Sequence, residues 1–83
     1  MDKSLHSREQ RILLNVLREM RAKRKLRQAD VAKKLGRPQS FVSKYESGER
    51  RLDVLELRYV CGALGTTLAE MVRELERRLP RVR

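Results

Sequence analysis

Apolar side chains return at helical intervals along most of this chain. Leu13, Val16, Leu17 and Met20 recur three and four residues apart, the spacing that keeps side chains on one helix face. Ser7 followed by Gln10 has the spacing of a capping box, so a first helix is predicted from Ser7. Lys23, Arg24 and Lys25 put cations in its last turn, where the helix dipole favours them. Val31, Ala32 and Leu35 give a short second helix over 28–35 its apolar face, with Asp30 in the first turn and Gly36 ending it. A third helix follows. Pro38 is acceptable in its first turn, Val42 and Tyr45 face inward, and Ser47 and Gly48 close it.

Two later helix starts are marked by residue type. Asp53 and Glu56 form a capping box, with Leu52 and Leu57 placed as a hydrophobic staple, and Thr67 and Glu70 repeat the box. The fourth helix is expected to bury Leu57, Val60, Cys61 and Leu64 and to end near Gly65; the fifth carries Leu68, Met71, Val72, Leu75 and Leu79 until Pro80. The pattern predicts an all-α, five-helix domain over 7–79, preceded by a loose arm at 1–6 and followed by a frayed basic tail at 80–83.

Composition supports that picture. Eighty-three residues make one small domain, and two prolines and four glycines are too few for the turns of an all-β fold. Cys61 stands alone and cannot form an internal disulfide, which fits a reducing cytoplasm. No apolar run reaches a membrane span, and the N-terminus lacks the apolar centre of a signal peptide. No nucleophile–base pair, phosphate loop or paired-carboxylate site appears, and His6 is isolated, so neither an enzyme, a metal site nor a cofactor is expected.

Charge changes the picture more. Of the net +10, residues 21–51 contribute +8, while 1–20 and 52–83 contribute +1 each. That concentration points to a polyanionic partner. Helices two and three, joined by a tight turn at Gly36, have the proportions of a helix-turn-helix. With Val42 and Tyr45 inward, the third helix turns Gln39, Ser40, Phe41, Ser43 and Lys44 outward. Those are the side chains a major groove can use: Gln on adenine, Lys on guanine, an apolar ring on a thymine methyl. Phe41 could equally pack over Arg37.

From "LREMRAKRKLRQADVAKKLG" through "RPQSFVSKYESGERR" to "LELRYVCGALGTTLAEM", the chain resembles the phage repressor/Cro-like helix-turn-helix regulators of the Xre family. Gln28, Ala32, Gly36, Gln39, Val42, Glu46, Gly48 and the Leu64–Gly65 pair fall in register over about residues 13–72. The resemblance implies a regulator that binds double-stranded DNA. Gln39, Ser40 and Lys44, with Phe41 a fourth, stand where the family reads bases. Gln28 stands where a residue touches a phosphate and braces the first reader. Arg37, Ser43 and the backbone around Ser47 and Gly48 stand near phosphates, Arg50 and Arg51 extend that footprint, and Arg21 and Glu46 stand where a partly buried ion pair joins helices one and three.

Two positions depart from the family. Arg27 replaces the usual Ser or Thr cap of the second helix and is assigned a phosphate instead, and Pro38 replaces the cap of the third. Leu75 and Leu79 extend the apolar stripe of the fifth helix and are candidates for a homodimer contact. The rival reading is an antitoxin-like module gripping a protein partner, for which an exposed patch at Leu55 and Tyr59 would be the marker. A weaker rival is non-specific nucleoid or RNA binding.

Overall fold

The computed structural model describes residues 3–82, with side chains from Arg8 onward. His6 is therefore outside the described side chains, and Met1, Asp2 and Arg83 are outside the description altogether. The chain forms five helices: α1 Lys3–Lys23, α2 Gln28–Leu35, α3 Gln39–Ser47, α4 Val54–Ala63 and α5 Leu68–Arg78. No helix among the described residues is long and apolar enough to cross a membrane.

α1 starts earlier than the Ser7 cap predicts, and residues 3–6 of the expected arm are helical. The segment holds no Gly or Pro, and extending an existing helix adds a hydrogen bond per residue without a new nucleus. At its other end Lys25 takes the left-handed conformation (φ 57°). Lys25 and Leu26 then donate backbone hydrogen bonds to Ala22 and Arg21, a Schellman closure made without glycine.

α4 begins on a reciprocal box: Asp53 accepts from the Glu56 N–H at 2.8 Å, and Glu56 accepts from the Asp53 N–H at 3.0 Å. α5 begins on half of one. Thr67 Oγ1 accepts from the Glu70 N–H at 3.1 Å, but the Glu70 carboxylate turns to the hydroxyls of Thr66 and Thr67, 3.3 Å from each. The expected full box at Thr67 is thus not made, because a second hydroxyl competes for the carboxylate.

The apolar stripes meet in one core of Leu14, Val16, Leu17, Val31, Ala32, Phe41, Val42, Tyr45, Val60, Cys61, Leu64 and Met71. α2 packs on α3 and α4, and α1 packs on α3 and α5. Each fully buried Val, Leu or Met contributes about 1.5–3 kcal/mol over leaving it exposed. Leu14 rather than Leu13 is the buried member of its pair; Leu13 lies at the edge of the core.

Tyr45 is fully buried, and its hydroxyl has no hydrogen-bond partner among the described residues. Burial pushes its ionisation well above the usual phenol range. Tyr45→Phe removes that orphan group at almost constant shape. We expect it to raise stability by about 1 kcal/mol, a rise of about 4–8 °C in Tm for a domain this size. A thermal melt showing a lower Tm would mean the hydroxyl is satisfied in solution.

Candidate nucleic-acid interface

α2 and α3 form the helix-turn-helix. The turn is fixed by Gly36 at φ 67°, where its N–H donates to Lys33 and the N–H of Arg37 to Ala32. Gly36 makes this conformation cheap because it lacks a Cβ. Pro38 is extended and serves as N-cap rather than as a first-turn residue, so α3 starts at Gln39 with no side-chain cap.

The nine residues of α3 divide by face. Phe41, Val42, Tyr45 and Glu46 are buried, whereas Gln39, Ser40, Lys44 and Ser47 are exposed and Ser43 is half-buried. Phe41 departs from its outward placement. Only 8% exposed, its ring meets Tyr45 edge-on at 5.7 Å between centroids, with the Arg37 and Arg50 guanidinium carbons 4.6 and 4.9 Å from its own centroid. A ring so enclosed gains core burial and cation–π contact, which an outward thymine contact would forfeit.

Behind the exposed face, Glu46 ties three helices together. It is 4% exposed. Its carboxylate accepts from Arg21 Nε at 2.7 Å and Nη2 at 3.0 Å, and from Gln28 Nε2 at 2.9 Å. Arg21 also donates to the Leu26 carbonyl at 2.9 Å, and Arg18 to the Glu46 carbonyl at 3.2 Å. The hydrogen bond to Glu46 raises the Arg21 pKa further above the usual guanidinium range. Gln28 therefore braces Glu46, not Gln39 as the family resemblance implied. The charge-assisted bond to a buried carboxylate is the stronger of the two options.

The basic residues split into tied and free. Arg27 pairs with Asp30, whose carboxylate also accepts from the Arg27 backbone N–H at 2.8 Å. Those bonds hold Asp30 below the usual carboxylate range. The Arg27 side chain is still 80% exposed, so this surface pair is weak.

Arg50, expected to extend the phosphate footprint, instead donates to both Glu56 oxygens at 3.0 and 2.7 Å. The Arg50 side chain and then the Asp53 N–H hold the Glu56 pKa down at about 2. Arg37 approaches the same carboxylate more loosely, at 3.9 Å. Among the described residues, Lys44 and Arg51 have no ion-pair partner.

Ser43 and Ser47 donate their hydroxyls to the carbonyls of Ser40 and Lys44. In this arrangement neither hydroxyl has its proton free for a phosphate. Leu75 packs against the chain's own core, Leu79 is half-buried outside it, and α5 is held to α1 by Arg78, which bridges Glu74 and Glu19 at 2.8 Å each. Leu55 and Tyr59 are both 66% exposed, beside Val54 at 62%.

Glu56 and Arg18 are the functional-site neighbours that the sequence did not reveal. Glu56 was legible only as a cap, and Arg18 carries no local signal. Among the described residues no cluster of His, Cys, Asp and Glu could hold a metal ion.

The model of a helix-turn-helix domain family matches residues 12–75. Among solved structures, the chain is similar to an XRE-family like protein from Pseudomonas syringae pv. tomato str. DC3000. The two are 42% identical, covering 94% of this chain and 95% of that one, with a TM-score of 0.86. It is also similar in fold to the clp gene regulator ClgR from C. glutamicum, at 23% identity, covering 89% of this chain and 96% of that one, with a TM-score of 0.75. No curated protein matches the chain. The family match over most of the chain and the close structural relative agree with the α2–α3 geometry: the chain belongs to the helix-turn-helix domain family, as an Xre-like member.

Proposed function

We propose that the protein is a sequence-specific regulator of transcription that lays α3 in the major groove of double-stranded DNA and acts by binding alone, in the cytoplasm. The observation that carries this reading is the division of α3. Its apolar residues and Glu46 are locked inward, which leaves Gln39, Ser40 and Lys44 exposed on a helix held on both sides. These three are the base readers. Arg51 is the first cation for phosphates, with Arg27 available once its exposed pair with Asp30 opens and Arg37 once it leaves Glu56.

The protein binds as a homodimer on an inverted repeat, with the two copies of α3 about 34 Å apart on successive groove faces. The edge of α5 at Val72, with Leu79 just past its end, is the contact we favour, since Leu75 already serves its own core.

A second reading has its own support. Val54, Leu55 and Tyr59 expose apolar surface on α4 beside a cleft of about 260 Å³ lined by Leu35, Arg37, Phe41, Glu56, Tyr59 and Val60. A protein partner seated there would make DNA binding secondary.

Selection of sites from a random duplex pool, at low and at near-physiological salt, separates the two. We expect enrichment of an inverted repeat with half-sites about one helical turn apart. Binding that vanishes at the higher salt with no sequence enriched would leave the basic segment as an electrostatic footprint and favour the protein partner.

A further inference from the structure

We infer that Glu56 restrains Arg37 and Arg50 as an internal stand-in for phosphate, and so limits how many cations the free protein offers to DNA. The inference rests on the DNA-binding reading and deepens it. The two arginines flank α3 in the chain, Arg37 in the turn before it and Arg50 in the connection after it. Both lie over the Phe41 ring, at 4.6 and 4.9 Å, and both reach one carboxylate. Arg50 holds it with two parallel bonds of 3.0 and 2.7 Å, and Arg37 stands 3.9 Å away.

Glu56 is itself fixed, because its Oε1 accepts the Asp53 N–H at the start of α4. It stays in place whether or not the arginines do. A phosphate offers a guanidinium the same paired acceptors as a carboxylate. A phosphate recruiting either arginine therefore exchanges one anion for another rather than satisfying a free cation. The exchange trims the part of binding that ignores sequence, and it leaves Gln39, Ser40 and Lys44 untouched. In effect Glu56 lowers the electrostatic affinity for every duplex alike and leaves discrimination to the readers on α3.

The test measures binding of a random-sequence duplex by fluorescence anisotropy over a series of salt concentrations, for the parent, Glu56→Gln, Arg50→Gln and the double variant. The amide in Glu56→Gln keeps an oxygen for the Asp53 N–H but loses the charge. Glu56→Gln is expected to steepen the slope of log K against log salt by about 0.9 for each arginine released, so by about one to two units. Its preference for a selected site over random sequence should stay as it is, because added phosphate contacts strengthen every duplex alike. Arg50→Gln should leave the parent's slope unchanged, yet remove part of the gain in the Glu56→Gln background.

An unchanged slope in Glu56→Gln overturns the inference. So does a parent slope that flattens by about 0.9 in Arg50→Gln alone, since that arginine would then already sit on a phosphate. The Arg50→Gln arm can still overturn the inference if Glu56→Gln fails to fold. A parent with no salt-dependent DNA binding would sink the functional reading itself, which is a different outcome from a parent that binds while its variants keep its slope.

Discussion

Replacing Arg21 with methionine is expected to destabilise the fold by about 3–5 kcal/mol, a large part of the roughly 5–15 kcal/mol that holds a typical domain together. The size follows from what remains. Glu46 is 4% exposed, and Arg21 supplies two of the three side-chain hydrogen bonds to its carboxylate. Gln28, the third, is neutral and cannot balance the charge. Arg18 is no substitute: its Nε is 3.9 Å away and its side chain is 53% exposed.

Methionine fills the volume, so the loss measures the stranded carboxylate rather than a cavity. Adding Glu46→Leu should therefore recover most of the stability. Removing both partners of a buried pair is often close to neutral, whereas removing one is not. Urea unfolding of the parent, Arg21→Met and the double variant checks this. A loss below about 1 kcal/mol in the single variant would put the pair with ordinary surface ion pairs.

The double variant has a second use. Glu46 joins α1, α2 and α3, so a restored Tm with weakened site preference would show that the pair also orients the recognition helix.

How far the sequence foretold this arrangement differs from residue to residue, for a physical reason. Helix ends were legible where a local group sets them. The Asp53–Glu56 box and the left-handed Gly36 act within a few residues and stand where their spacing predicts. The start of α1 was not, because a capping pair can also occur inside a helix that simply continues upstream.

Faces were legible at Val42 and Tyr45, whose inward placement follows from period. Phe41 lies between the two faces of α3, and only the tertiary neighbours Arg37, Arg50 and Tyr45 decide where its ring goes. The pairing of Arg50 was hidden for the same reason. In the sequence it continues a basic run with Arg51, and its partner Glu56 lies across a loop, already accounted for as a cap. Local rules assign a residue one role, and the folded chain gives Glu56 two.

The other large effect concerns discrimination rather than stability. Changing Gln39, Ser40 and Lys44 together to Ala should leave the Tm nearly unchanged, since all three are exposed and none makes an ion pair or a side-chain hydrogen bond among the described residues. Preference for the selected site over random duplex should nevertheless fall by about 10²–10⁶-fold. Good base contacts discriminate by about 1–3 kcal/mol each, and about 1.4 kcal/mol is tenfold.

Affinity for random sequence should barely move, because these side chains meet base edges, which carry the sequence, and not phosphates, which carry the charge. Competition titrations at fixed salt give the ratio, and a salt series identifies any reader assigned wrongly. If Lys44 lies on a phosphate instead of a base, its replacement alone will flatten the log K slope by about 0.9 and leave the preference intact. Arg51→Ala is the matched opposite: free of ion pairs and outside α3, it should weaken every duplex alike and flatten the slope by about that same 0.9. A protein whose preference depends on Gln39, Ser40 and Lys44, and whose salt slope depends on Arg51, reads DNA with the exposed face of α3 and holds it with the connection that follows.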